Sequence, residues 1–393
     1  MHVNDLTPPA GPPAEISHLV RQRTEARQRR DWARADELKA EIEAAGWRVV
    51  DRGGKTSVSP AAPASVEVDG ELRYGSSTAV ESRLSSPATV AWTVVVAASE
   101  DPARISRLLS GLRASAPAGT QVVVVANDPS AAQAAVLAPG APDVEPLSGN
   151  APEVLRTSTR LGYAAALNIA LARAAGELVL LTDGTAAPAG DAFGPLAEAL
   201  ADGTVAAAGG FGLYSEADTP LRPGALRREP FEATEETAPG GAAPRAAAQL
   251  TTPAGFDATA LEGAWLAFRR SDYIALGPLD ERFVTPSWLD VWWTLRLRAG
   301  EEPQGAEYVE SEPAADGDDT AERDDRDGEA NDAMERPGDA DVQMPRPRRA
   351  VAVRLPLDRD ETTWPPDRSR LNRRNMYRIL DRFGWREDLV SEP

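Results

Sequence analysis

Residues 162–185 read GYAAALNIALARAAGELVLLTDGT, and this stretch decides the fold. Ala164, Ala165, Ala166 and Ala170 give a helix one side made of small residues, so that it can lie close to a sheet. Gly176 ends the helical pattern, and the apolar run of residues 178–181 has the length of a buried strand. The strand then stops at Thr182, Asp183, Gly184 and Thr185. In an open α/β sheet, ligands bind beyond the carboxyl ends of the strands, so these four residues are placed at the edge of a site.

Working outward, a strand begins at Val90 (VAWTVVVAAS), a helix follows from Pro102 to Ala114, and a second strand runs from Gln121 to Val125 into a polar loop at Asn127 and Asp128. Strands and helices alternating at these lengths imply parallel βαβ units. Residues 214–253 are polar and rich in Pro and Gly, which predicts a long surface loop. Residues 261–300, LEGAWLAFRRSDYIALGPLDERFVTPSWLDVWWTLRLRAG, hold a strand, a turn-rich loop and a helix. A further strand is predicted at 350–357, and apolar residues at helical spacing (Leu371, Met376, Ile379, Leu380, Phe383) predict a closing helix.

Composition narrows the chemistry. The 393 residues contain no Cys, which removes disulfides, thiolate metal sites and Cys nucleophiles. His2 and His18 are the only histidines, so a His-dependent triad or zinc site in the main domain is excluded. The net charge of −19 is concentrated: residues 301–341 carry 17 Asp or Glu against Arg323, Arg326 and Arg336, a local balance of −14, leaving about −5 elsewhere. A tract so charged and so poor in apolar residues cannot bury enough surface to fold, and 301–349 is expected as an acidic disordered insertion. The remainder does not suggest a nucleic-acid-binding surface. No segment has the length and apolarity of a membrane span, and the N-terminus lacks the basic-then-apolar order of a signal peptide, so a cytoplasmic location is expected.

The order of elements, the small-residue helix and the loop Gly277-Pro278-Leu279-Asp280-Glu281-Arg282-Phe283 resemble family-2 glycosyltransferases. The resemblance implies an α/β fold of GT-A type: a Rossmann-like, mainly parallel sheet with flanking helices over 89–300, completed by a strand and helix in 350–393. It implies transfer of a sugar from a nucleotide-sugar donor to an unknown acceptor, with inversion. Asp290 matches the second position of the family's Glu-Asp pair, where Leu289 replaces the Glu. It is the candidate catalytic base, and on helix chemistry alone it reads equally as an N-cap. Glu100, Asn127, Asp128, Arg160, Gly162, Asn168 and Asp183 are the candidate nucleotide-sugar-binding residues. Asp128-Pro129 also reads as a turn and Asn168 as a helix-to-loop hydrogen bond. The family's Asp-x-Asp pair, which holds Mg²⁺ or Mn²⁺, is reduced here to Asp183, itself readable as a turn residue before Gly184. Arg359, Arg373, Arg374 and Arg378 offer cationic groups that could offset diphosphate charge, and Arg269 and Arg270 could meet phosphate. The alternative is a catalytically inactive nucleotide-sugar-binding or scaffolding protein.

Residues 1–14 are Pro-rich and expected to be disordered. Residues 15–58 form a helical pattern ended by Gly46, with Ile16, Leu19 and Val20 on one face and Trp32, Ala35, Leu38 and Ile42 on another. Through RDWARADELKAEIEAAGW this stretch resembles the C-terminal tail of cysteinyl-tRNA synthetases. It is read as a helical hairpin module that would serve a protein partner, with tRNA contact as the sharper alternative. Residues 59–88 read as a linker with one short hairpin at Val66 to Tyr74, turning at Asp69-Gly70.

Overall fold

The computed structural model describes residues 12–52, 55–61, 64–98, 101–146, 149–215, 226–228, 256–300, 346–359, 370–384 and 386–389. Most of the expected acidic insertion, residues 301–345, lies outside the described residues, as do residues 1–11 and Glu100.

A ten-stranded sheet forms the body. From one edge to the other its strands are Phe256–Ala258, Arg349–Ala352, Val205–Gly209, Leu266–Arg269, Gly176–Thr182, Val90–Ala97, Gln121–Ala126, Glu153–Thr157, Glu71–Tyr74 and Val66–Val68. The five strands from Gly176–Thr182 to Glu71–Tyr74 run parallel to one another, and antiparallel ladders lie mainly towards the other edge. Strand periodicity builds two cores. Val95, Ala97, Val123, Val125, Val179 and Leu181 face the helices Tyr163–Ala172 and Leu289–Ala299, whereas Val94, Val96, Val122, Val124 and Leu180 face Pro102–Ser115 and Phe193–Ala201.

Gly176 is required by close approach. A Cβ there would lie 2.4 Å from the Thr93 nitrogen and 2.6 Å from the Trp92 carbonyl carbon, so the helix-to-strand turn fits against the neighbouring strand only without a side chain. Thr93 Oγ1 accepts the Gly176 N–H at 2.8 Å and fixes the same junction.

Three expectations are corrected. The predicted linker is built into the sheet: Glu71–Tyr74 pairs in parallel with Glu153–Thr157, and the hairpin turns at Asp69 and Gly70, both at positive φ (54° and 79°). Part of the predicted surface loop is strand: Gly212–Ser215 pairs with Leu226–Arg228 and with Ala260–Leu261, while 216–225 and 229–255 lie outside the described residues. The strand expected over 350–357 is two strands. Arg349–Ala352 joins the main sheet, and after Pro356 the chain pairs anew as Leu357–Arg359 against Ala186–Pro188, immediately beyond Thr185. That second pairing carries Arg359 to the end of the strand Gly176–Thr182.

In the N-terminal module the helices Ala14–Gln28 and Trp32–Ala44 pack on each other and on a hairpin of Trp47–Arg52 and Lys55–Pro60. Asp51 is its anchor, accepting from Arg23 at 2.9 and 2.7 Å, from Thr56 at 2.7 Å and from Arg27 at 2.5 Å. The bonded Arg23 guanidinium holds the Asp51 carboxyl well below the usual carboxylate range. Trp32, expected on an apolar face, is exposed, while Ala35, Leu38 and Ile42 are buried.

Candidate active site

A cleft of about 190 Å³ opens at the carboxyl end of the strand Gly176–Thr182, where ligands bind in open α/β sheets. Its lining draws together Asp183 from the strand end, Tyr163 from the first turn of the small-residue helix, Glu262 and Gly263 from the segment before Leu266–Arg269, Trp288 and Asp290 at the head of Leu289–Ala299, and Arg359.

Asp290 is not an N-cap. The capping position belongs to Trp288, which makes no side-chain cap, and Asp290 lies two residues on in the first turn. Its carboxyl accepts the Gly263 N–H on Oδ2 and the Val291 N–H on Oδ1, both at 2.8 Å. Gly263 allows this approach, since a Cβ there would lie 3.1 Å from the Asp290 Cβ. Burial pushes the Asp290 carboxyl up to about 7; the two N–H groups oppose that rise, and the charges of Glu262 and Asp183 add to it. Burial also holds the Tyr163 phenol far above its ordinary range, with the charges of Asp183 and Asp290 adding to the effect, so Tyr163 stays a neutral hydroxyl.

Glu262 is buried and meets Arg359 Nη2 at 2.6 Å, and the Arg359 guanidinium lies 3.8 Å over the Phe211 ring. Asp183 Oδ1 accepts from the Thr185 N–H at 2.9 Å and from its hydroxyl at 2.6 Å. Residues 182–185 thus provide one carboxylate, with one oxygen engaged in a local turn. No group of three His, Cys, Asp or Glu able to hold a metal ion occurs among the described residues. This donor set does not fit a divalent cation held by protein ligands.

Of the residues proposed from sequence, the cleft gathers Asp183, Asp290 and Arg359. Asn127, Gly162 and Asn168 lie elsewhere and make contacts within the scaffold, and Glu100 lies outside the described residues. The Asn127 amide pairs with the Leu161 backbone, donating to its carbonyl and accepting its N–H, both at 2.8 Å, and also accepts from Thr157. Asp128 is an exposed turn residue at φ 54°, and Arg160 is exposed. Gly162 caps the small-residue helix, whose first N–H groups, those of Tyr163 and Ala164, donate to the carbonyls of Val284 and Phe283 at 3.1 Å. That helix end is therefore closed by a loop. Asn168 is buried: it donates to the Leu279 carbonyl and to Glu281, and accepts from the Leu279 N–H and the Tyr273 hydroxyl. Its helix-to-loop reading is the one the fold uses.

The basic residues divide similarly. Arg269 donates to the carbonyls of Leu200, Val205 and Asp202, and Arg270 to those of Ala174, Arg83 and Ser86, at the end of their strand away from the cleft. Arg374 is exposed, Arg378 donates to Asn375, and the Arg373 side chain lies outside the described residues. Sequence reading missed Tyr163 and Glu262, and left Trp288 open between core and sugar-stacking platform. The one available signal was a Glu directly before Gly263, which an apolar strand would otherwise exclude.

Fold and cleft together define a glycosyltransferase-like protein. Residues 93–250 match the family described as Glycosyl transferase family 2, and residues 10–58 match the Cysteinyl-tRNA ligase anticodon binding domain. The second match recurs in a cysteine–tRNA ligase of Opitutus terrae, 46% identical over 54 residues, which are 14% of this chain and 12% of the ligase. Among solved structures, a mannosyltransferase of Pyrobaculum calidifontis in complex with GDP-Man and Mn²⁺ is similar at 24% identity and a TM-score of 0.32, covering 51% of this chain and 50% of that one. GalNAc-T7 with UDP, GalNAc and Mn²⁺ is similar at 12% identity and a TM-score of 0.46, covering 77% and 49%. The chain spans about half the length of these two structures. No helix among the described residues is long and apolar enough to cross a membrane.

Proposed function

We propose that the protein transfers a sugar from a nucleotide-sugar donor to an acceptor hydroxyl with inversion, using Asp290 as the base. The observation that carries the reading is the pair of carboxylates, Asp183 and Asp290, reaching one cleft from two elements, with Asp290 raised to about 7. A base with its pKa near the working pH combines a useful ionised fraction with enough basicity to take a proton. In the step, the Asp290 carboxylate removes the acceptor O–H proton as that oxygen bonds to the anomeric carbon. The bond from that carbon to the diphosphate oxygen breaks, and the nucleoside diphosphate leaves with the electron pair. Arg359 stands beside the site as the lining cation, and the neutral Tyr163 hydroxyl is suited to donate a hydrogen bond.

Incubation with UDP-, GDP- and dTDP-sugars tests this directly, reading released nucleotide. Asp290→Asn is expected to lower turnover by about 10²- to 10⁴-fold, the usual loss for a removed acid/base group. An Asp290→Asn protein as active as wild type refutes the assignment. The reduction of the acidic pair to Asp183 favours a second reading, a nucleotide-sugar-binding protein without turnover. Calorimetry separates the two, because binding with no nucleotide release from any donor selects the second. For residues 15–58 we propose a protein partner; retention of tRNA on a filter would refute that.

A further inference from the structure

Trp288 is the one aromatic residue among the described residues with a left-handed backbone, at φ 70° and ψ −4°, a conformation that bulky side chains rarely adopt. The surroundings impose it. The Leu289 N–H donates to the Pro286 carbonyl at 3.2 Å, closing the turn, and the buried Asn375 of the final helix donates to the Ser287 carbonyl at 3.0 Å and the Thr285 hydroxyl at 3.1 Å. The strained residue occupies the capping position of its helix without capping it, where Ser, Thr, Asp or Asn would serve the helix better. What this position does provide is an indole that is half-buried, lines the cleft, and stands two residues from Asp290. Strain held in place by neighbouring hydrogen bonds and set against a cleft points to use by a ligand.

We propose that Trp288 is a substrate-positioning residue whose indole stacks on the C–H face of a pyranose ring and holds it against Asp290; this rests on the sugar-transfer reading above. Trp288 and Asp290 line the same cleft of about 190 Å³, so a ring on the indole shares that space with the carboxylate. A nucleobase does not meet that condition, because a ribose and a diphosphate separate it from the reacting carbon. A pyranose does, since it presents an apolar face to the indole and hydroxyls at its rim to Asp290 and Tyr163. Trp293 adds to the same wall: it lines the cleft, and its buried indole N–H has no hydrogen-bond partner among the described residues, a donor that a hydroxyl oxygen would satisfy.

The test uses the full chain and saturation-transfer NMR with the methyl glycosides of glucose, galactose, mannose and N-acetylglucosamine, with UMP and GMP as controls. UDP and GDP titrations on the same samples read the donor site separately. Trp288→Phe keeps the ring, and Trp288→Gly removes it while suiting positive φ, so both are expected to fold, which circular dichroism checks. We expect glycoside binding by wild type and Trp288→Phe, a loss of about tenfold or more in Trp288→Gly, and nucleotide binding equal in all three. Equal glycoside binding by Trp288→Gly overturns the inference. So does wild type that binds nucleotide and no glycoside, which leaves the donor reading standing. Nucleobase protons that saturate in wild type and not in Trp288→Gly also overturn it, in favour of a base platform. Wild type that binds neither nucleotide nor glycoside defeats both this inference and the function it rests on.

Discussion

At the scale of single residues, Asp290 is tuned by opposing effects. Burial in a cleft with Glu262 and Asp183 favours the protonated acid, while two backbone N–H groups favour the carboxylate, and the balance lies at about 7. Since the ionised form is the base, turnover is expected to rise with pH and reach half its maximum near pH 7, read from initial rates between pH 5 and 9. A midpoint near 4 would mean that the group is not buried as described. Stability moves the other way. A carboxyl raised in the folded state contributes stability that is complete below its unfolded value of 3.8 and lost as pH rises through about 7. Asp290→Asn should therefore lose melting temperature less steeply from pH 5 to pH 8 than wild type does. Asp183 leads to a second expectation. With one carboxylate in residues 182–185, UDP or GDP affinity measured in EDTA and in Mn²⁺ should differ by less than about tenfold. A larger gain with Mn²⁺ would show that substrate oxygens complete a metal site the protein alone does not.

At the scale of elements, the cleft depends on how the small-residue helix Tyr163–Ala172 is joined to the loop 277–285. Asn168 holds both backbone groups of Leu279, and Phe283 and Val284 close the helix N-terminus. Asn168→Ala leaves the buried Leu279 N–H and carbonyl without partners and is expected to cost about 2–3 kcal/mol in urea unfolding. A cost below about 0.5 kcal/mol would show that the loop is held otherwise. The same pattern explains why several proposed ligand-binding residues turned out to brace the fold. Asn127 and Asn168 have the chemistry of ligand contacts, and their sequence positions cannot reveal that the acceptors they meet belong to Leu161 and Leu279, which lie 34 and 111 residues away. The strands were more legible, because alternation in Val94–Val95–Val96 is a local property that survives into the two cores.

At the scale of the whole molecule, the N-terminal module carries its own anchor in Asp51 and its own packing, while the hairpin Val66–Tyr74 belongs to the main sheet. A chain starting at residue 62 is expected to melt within a few degrees of the full-length main transition. One starting at residue 76 loses the two strands at that edge, Glu71–Tyr74 and Val66–Val68, and should melt lower by several degrees, since about 1 kcal/mol moves a domain of this size by about 2–4 °C. Equal melting of the two truncations would place the hairpin outside the cooperative unit. Far along the chain, Arg298 of Leu289–Ala299 donates to the carbonyls of Thr259, Arg348 and Leu389, tying the segments on both sides of 301–345 to one helix.

The sequence by itself determined the α/β architecture, the family-2 resemblance, the tRNA-ligase-like module and the single carboxylate of residues 182–185. All of these follow from local periodicity or from residue identity. Tertiary structure decided which polar residues line the cleft and which face the protein, that Trp288 takes a left-handed backbone at the head of the helix carrying Asp290, and that Leu357–Arg359 returns to bring Arg359 to Glu262. The physical reason is one of range. Burial and hydrogen-bond partners are set by groups as many as 204 residues apart, and the raised Asp290 carboxyl exists only after Glu262, Asp183 and a low-dielectric wall have been assembled around it.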